Sequence, residues 1–338
     1  MTHTKLIIVG VDNINHVGKA FFNGAKSLNI NPLLINSNLA YQAPKLIKQL
    51  NWHLRGRYPT RLNAFSQEVL SSCINHKPQF LLTTGICPLN VQVLQEIGKL
   101  GITKINFLTD DPWNPAHLAP WFFPSLPHYD IIYSPRKDNM QDLEKAGCKN
   151  VKYLPFAYNP DLFYPEKPTE SEKEQYISDV IFAGGGDGDR VQYMSALINA
   201  GINIHLYGDY WHNYQETKDS YHGYANDRTL RLAISTAKIS LCLVRKANRD
   251  GNCMRTFEVP AIGGCMLTEY TPEHQEIFGL DGENVVYFKN IPEMVEKTLW
   301  LLDNESERQR LANNAHLLIT QGGNTYSDRL KTMLELFS

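Results

Sequence analysis

The chain has 338 residues, with 43% apolar and 20% charged side chains, which describes an ordinary globular protein too long for one core of typical size. Its formal net charge of -2 gives no general pull toward nucleic acid or an anionic membrane, and no apolar run is long enough to span a bilayer. The opening MTHTKLIIVGVDN has neither the length nor the cleavage site of a signal peptide, and Cys73, Cys87, Cys148, Cys242, Cys253 and Cys265 form no C-x-x-C pair. These features disfavour a metal or disulfide scaffold and lead us to expect a cytoplasmic two-domain protein.

KLIIVGV (5–11) reads as the first strand, and GKAFFNGAKSLN (18–29) as the helix after it. NPLLIN (31–36) is the second strand, and a long helical region then runs through the 40s to the 70s, ending at HKPQ. Strands QFLLTTG (79–85), KINFLTD (104–110) and DIIYSP (130–135) follow, interleaved with helices VQVLQEIGKLG and RKDNMQDLEKAGC, and VKYLPFA (151–157) closes this half. Short β-branched runs alternating with amphipathic stretches are the pattern of β-α units on a parallel sheet. YNPDLFYPEKPTESEKEQ is rich in proline and charge and has linker character.

A second series runs SDVIFAGGG (178–186), a helix from Asp189, INIHLYG (202–208), a helix around 227–237, KISLCLV (238–244), GGCMLTE (263–269) and NVVYF (284–288). Helices at 291–303 and 305–319 and the amphipathic SDRLKTMLELF (327–337) complete it. The expected organisation is a domain over 1–158, a linker over 159–177, a second domain over 178–320, and a terminal helix in 321–338 packing back on the first. Between two such doubly wound domains, ligands are expected at strand carboxyl ends and helix starts lining a cleft.

The stretch RDGNCMRTFEVPAIGGCMLTEY (249–270) crowds charge before a buried strand. Arg245, Lys246, Arg249 and Arg255 lie on, or at the end of, a loop entering the short helix FEVPAIG. Helix-start N–H groups and planar guanidinium forks suit a diphosphate. Glu258, one turn in, suits ribose hydroxyls, as acids do in dinucleotide folds. Phosphate plus ribose asks for a nucleotide; the competing account is a solvated loop whose arginines pair with Asp250 and Glu258. In DVIFAGGGDGDR (179–190) a strand runs into Gly184, Gly185 and Gly186 and then a helix, so that backbone can approach an anion. It matches neither the phosphate-loop nor the dinucleotide fingerprint. Asp187 and Asp189 are expected to cap the helix rather than hold a metal.

Together with HLYGDYW and YHGYANDRTLRLAISTAKISLCLV, the strand–GGG–helix and the run R-x-F-E-x-P-A-x-G-G-x-x-L-T-E resemble the group-1 type glycosyltransferases. The spore-maturation-protein (CgeB)-like branch is the nearest, and FLTDDPWNP, YSPRKDNMQDLEKAGCKNVKYLPFAYNPDLFYP and TYSDRL fit it as well. The resemblance covers most of the chain and is strongest over 179–290. It implies a GT-B architecture: two Rossmann-like doubly wound α/β domains facing across a cleft, with the donor held mainly by the second. It implies that Glu258 is the second acid of E-x7-E, meeting the donor ribose, with the shorter Asp250 at the position of the first. Arg255 corresponds to the arginine before F-E, and Arg190 and Arg245, with Lys246 behind them, to the diphosphate contacts. Tyr221, His222 and Gly223 fall where the base is met, an aromatic surface turn being the competing account.

The reaction so implied moves a glycosyl group from a nucleoside diphosphate sugar, a UDP-sugar first, to a hydroxyl of a glycan, lipid-linked or small-molecule acceptor. No metal or other cofactor is expected, since fixed cations stabilise the departing diphosphate. An inverting enzyme needs a general base, for which Asp111 and Asp110 at the end of KINFLTD compete with Asp12 and His16 after the first strand. Capping by Asp12 and an Asp-Pro turn at Asp111 are their structural alternatives; a retaining enzyme needs no base.

KLIKQLNWHLRGRYPTRL (45–62) interleaves basic residues with Trp52 and Tyr58 and suits anionic lipid, hence peripheral contact with the inner membrane face, or a polyanionic acceptor. It shows no clear apolar stripe, and a solvated face is the expected account. The rival functions are a catalytically degenerate GT-B module, a nucleotide-sugar 2-epimerase and a phosphorylase. A dinucleotide oxidoreductase is disfavoured because VGVDNINHVG lacks G-x-G-x-x-G.

Overall fold

The computed structural model describes residues 5–335, which form two α/β units. One unit takes in the chain up to Pro155, the short segment Arg245–Asp250 and the chain from Tyr326; the other takes in Phe156–Val244 and Gly251–Thr325.

The first unit alternates β1 (Leu6–Gly10), α1 (Val17–Ser27), β2 (Leu33–Asn36), α2 (Lys45–Leu54), α3 (Leu62–His76), β3 (Phe80–Thr84), α4 (Val91–Lys99), β4 (Thr103–Phe107), β5 (Ile131–Ser134), α5 (Met140–Lys145) and β6 (Val151–Tyr153). Its six strands pair in parallel in the order β2-β1-β3-β4-β5-β6. Every residue of β1 is buried, as expected for a strand covered on both faces. Ile7 and Val9 join a core with Phe65 and Val69 of α3 and Val93, Leu94 and Ile97 of α4. Phe21 of α1 packs edge-on against Phe107. The helical region expected as one piece is broken by Gly56 and Arg57, both at positive φ, so α2 and α3 are separate helices.

The second unit opens with α6 (Glu170–Tyr176), a short helix inside the stretch with linker character. Thr169 and Glu172 close a reciprocal capping box there, which accounts for helix in so polar a sequence. Then follow β7 (Val180–Ala183), α7 (Gly188–Asn199), β8 (Ile204–Tyr207), α8 (Asp227–Thr236), β9 (Ile239–Cys242), α9 (Met254–Ile262), β10 (Met266–Glu269), α10 (Pro272–Phe278), β11 (Val286–Phe288), α11 (Ile291–Asp303) and α12 (Glu305–Gln321). The parallel order is β11-β10-β9-β7-β8, over a core containing Val180, Ile204, Leu241, Leu267, Phe288 and Met294. α13 (Tyr326–Glu335) belongs to the first unit, where Tyr326 packs edge-on against Phe21. The last two residues of the expected terminal helix, 336 and 337, lie outside the described residues.

In each sheet the strand order reverses once, between β1 and β3 and between β7 and β9. Such switch points open a crevice at the strand carboxyl ends, where ligands of doubly wound folds bind.

Candidate functional site

In the second unit, the loop leaving β7 at its switch point is Gly184-Gly185-Gly186. Asp187 caps α7 by accepting from the Arg190 N–H at 3.0 Å, the role expected of it. The Trp211 indole N–H donates to the Gly184 carbonyl at 2.8 Å, and a Cβ on Gly186 would stand 2.9 Å from the Trp211 ring. Glycine is needed there because the loop lies flat on tryptophan. The Arg190 guanidinium is drawn back onto this loop, donating to the Gly185 carbonyl at 3.0 Å above the Phe182 ring.

α9 starts at Met254, earlier than the helix read from FEVPAIG, so Arg255 lies in its first turn. Arg255 donates through Nε to the Ala183 carbonyl at 3.3 Å, at the end of β7, and its Nη1 pairs with the carboxylate of Glu258, which is 4% exposed. Burial lowers the Arg255 pKa. The Arg–Glu pairing offered as a competing account is therefore present, but within a buried helix start rather than on a solvated loop.

A chain of hydrogen bonds fixes this turn from behind. The Cys253 N–H donates to Thr256 Oγ1 at 3.0 Å, and Thr256 Oγ1 lies 2.9 Å from His274 Nε2. His274 Nδ1 is 2.8 Å from the Glu269 carbonyl, which can only accept, so the ring proton sits on Nδ1. Burial lowers the His274 pKa, keeping the ring neutral so that Nε2 accepts the Thr256 hydroxyl. Cys242 and Cys253 have their sulfurs 3.7 Å apart in the same layer.

Tyr221 pairs with Leu206 of β8 in an isolated parallel bridge, and the His222 N–H and Gly223 carbonyl extend the ladder to Leu206 and Gly208. The segment is thus a short addition to the sheet edge rather than a free turn. The His222 ring stacks on His205 with centroids 3.8 Å apart. Burial and the neighbouring His222 bring the His205 pKa down to about 4, and burial lowers that of His222.

In the first unit, the residues proposed as a base divide sharply. Asp111 is 1% exposed and chelated by Arg249 at 2.6 and 3.0 Å; Arg249 also binds Asp142 at 2.6 Å. Both oxygens of this buried carboxylate are taken up by the guanidinium fork, so the structure gives Asp111 an anchoring role in place of the open position expected of a base. Asp12 forms an exposed pair with Lys19 at 2.8 Å. Asp110 is open to solvent, accepts from the Thr109 hydroxyl at 3.1 Å and lies 3.6 Å from His117 Nε2. Its charge also reaches His16, whose pKa burial nonetheless lowers. Desolvation lowers the His117 pKa too, reinforced by Arg57, Arg245 and Arg136. Two neutral imidazoles and one carboxylate therefore share the carboxyl-end side of this sheet.

The loop 245–250, with Arg245, Lys246 and Asp250, clusters with this unit. Asp250 accepts from Arg136 Nε at 2.6 Å. Arg136 is fully buried, and its other nitrogens donate to the carbonyls of Leu108 and Thr109. Sequence reading missed Arg136, because RKDNMQDLEKAGC was taken as one helix, whereas α5 starts at Met140. It also missed His117, whose neighbourhood to Asp110 the DPWNPAH spacing hinted at, and His274, which only tertiary packing reveals.

Residues 190–335 match the family described as Glycosyl transferase-like. Among solved structures, sucrose-phosphate synthase from Thermosynechococcus elongatus is 10% identical with a TM-score of 0.68, over 99% of this chain and 98% of that one. A glycosyltransferase from Rickettsia africae ESF-5 is 10% identical, TM-score 0.65, over 99% and 98%. Anabaena HepE in complex with UDP-glucose is 10% identical, TM-score 0.66, over 98% and 100%. No curated protein matches. The fold is that of the GT-B glycosyltransferases, with two Rossmann-like domains, and the segment 190–335 is glycosyltransferase-like.

Proposed function

We propose that this chain transfers a glycosyl group from a nucleoside diphosphate sugar, a UDP-sugar first, to a hydroxyl of a glycan, lipid-linked or small-molecule acceptor in the cytoplasm. The observation that carries this is the start of α9, where Arg255 and buried Glu258 sit beside the end of β7 at the sheet's switch point. A diphosphate competes with Glu258 for Arg255 and frees the carboxylate to accept from ribose hydroxyls. The bond between the anomeric carbon and the phosphate oxygen breaks, the electron pair leaves with the diphosphate, and the acceptor oxygen bonds to the anomeric carbon. Arg255 and the N–H groups opening α7 and α9 stabilise the leaving charge, so no metal enters the proposed reaction. We assign the acceptor's proton to His16 or His117, neutral near pH 7 and coupled to Asp110. The HepE complex with UDP-glucose supports the donor class, and the Arg255-x-Phe257-Glu258 run supports the CgeB-like branch.

Asp250, held by Arg136, favours one second reading: a module that binds the donor without turnover. Release of nucleoside diphosphate from UDP-glucose, UDP-N-acetylglucosamine and GDP-mannose, followed chromatographically with and without EDTA, separates the two. We expect slow release from a UDP-sugar that EDTA leaves unchanged. Binding without release from any of them would remove the transferase reading and keep the module.

A further inference from the structure

α2 is a helix whose apolar side meets solvent. Leu46, Leu50 and Leu54 recur every four residues with Ile47 beside them, and they are 80%, 47%, 75% and 44% exposed. Trp52 is exposed as well, and the one buried residue of the helix is polar Asn51. Asn51 anchors the segment by donating from Nδ2 to Thr60 Oγ1 at 2.9 Å and accepting at its carbonyl from the Arg55 and Tyr58 N–H groups. A helix of 10 residues is marginal in water and is ordinarily held by burying its apolar stripe against the protein. Here that stripe faces outward, so the solvated polar face expected from sequence is not what the structure presents.

The charge around it is one-sided. Residues 13–67 contain Lys19, Lys26, Lys45, Lys48, Arg55, Arg57 and Arg61 and no aspartate or glutamate. Two of these seven are met by acids just outside the stretch, Lys19 by Asp12 and Arg61 by Glu68, so the basic excess is carried by Lys26, Lys45, Lys48, Arg55 and Arg57. Lys45, Lys48 and Arg55 are all exposed on the circumference that the leucines leave open. A polyanion in solution would use the cations but has no need of four exposed aliphatic side chains. Pairing two copies through this face would bring like charges together. An anionic bilayer surface uses both: the leucines enter the acyl boundary, tryptophan suits the headgroup level, and long basic stems reach back to the phosphates. No described helix is long and apolar enough to cross a membrane, so the attachment is interfacial.

We propose that α2 docks this chain onto a bilayer surface rich in anionic headgroups, with Leu46, Ile47, Leu50 and Leu54 inserted and Lys45, Lys48 and Arg55 on the phosphates. The inference rests on the helix alone and stands or falls apart from the transfer chemistry.

Flotation with vesicles of phosphatidylglycerol and phosphatidylcholine, against phosphatidylcholine alone, tests it on the full chain. We expect roughly tenfold more protein on the anionic vesicles, lost at high salt, in Leu46→Gln/Leu50→Gln/Leu54→Gln and in Lys45→Gln/Lys48→Gln/Arg55→Gln. Both variants should melt like the wild type, since the changed side chains are exposed. Absence of the wild type from anionic vesicles overturns the proposal, as does equal flotation of the leucine variant. Sedimentation showing a dimer that the leucine variant splits assigns the face to a second copy and overturns it too.

Discussion

The two sheets reverse their strand order at equivalent places, yet the two switch points carry different chemistry. After β7 the chain offers three glycines, a capped helix and, across from it, the Arg255–Glu258 pair at the start of α9. After β1 it offers no comparable glycine run but Asp12 and His16, with Asp110 and His117 following β4. A backbone-lined site with fixed positive charge recognises anions, whereas a group of neutral imidazoles beside a carboxylate handles protons. One fold used twice thus carries two different sets of side chains at its switch points, and the difference lies in the loops.

The largest expected effect tests how the first unit holds its borrowed segment. Arg136→Met removes a buried cation from Asp250 and from two carbonyls, and should cost about 3–5 kcal/mol in urea unfolding. A loss below about 1 kcal/mol would show that the segment is anchored otherwise. In the second unit, Gly208 has φ +126°, and a Cβ there would stand 2.5 Å from the Gly184 carbonyl oxygen. Gly208→Ala should cost about 2–3 kcal/mol and weaken nucleotide binding with it, because the glycine loop must shift. Retained stability and retained binding would mean that the loop is more yielding than its packing on Trp211 indicates.

How much of this was legible beforehand depends on range. The β7 loop, its Asp187 cap and the apolar strands were readable because glycine, capping and β-branched signals act within a few residues. The destinations of Asp250 and Arg249 were not, since their partners Arg136 and Asp111 lie 114 and 138 positions away. The same limit hid Asp111, whose Asp-Pro context reads as a turn while its carboxylate is buried by a distant arginine. α2 shows another failure: Lys48, Gln49 and Asn51 between its leucines masked a stripe that helical geometry makes plain.

A smaller effect is read through pH. His205 in the second unit has its pKa lowered from 6.5 to about 4. Above pH 6.5 both folded and unfolded forms are neutral and the group contributes no pH dependence. Between pH 6.5 and about 4 the unfolded chain takes a proton that the folded ring refuses, so stability falls as the pH is lowered through that window. His205→Asn should flatten that slope; an unchanged slope would place the dependence elsewhere. Asp12→Asn is the smallest change, within about 0.5 kcal/mol, because its pair with Lys19 is exposed and screened.

The most direct test of the central claim is a thermal-shift titration of UDP, GDP and ADP into the wild type and Glu258→Ala. A ligand that binds the folded state raises the melting temperature with its affinity. One nucleoside diphosphate should raise that of the wild type, and Glu258→Ala should need at least about tenfold more nucleotide for the same shift, a loss of about 1.4 kcal/mol. An equal shift in both proteins would remove Glu258 from the site. No shift with any nucleotide would contradict the donor-binding role given to the start of α9.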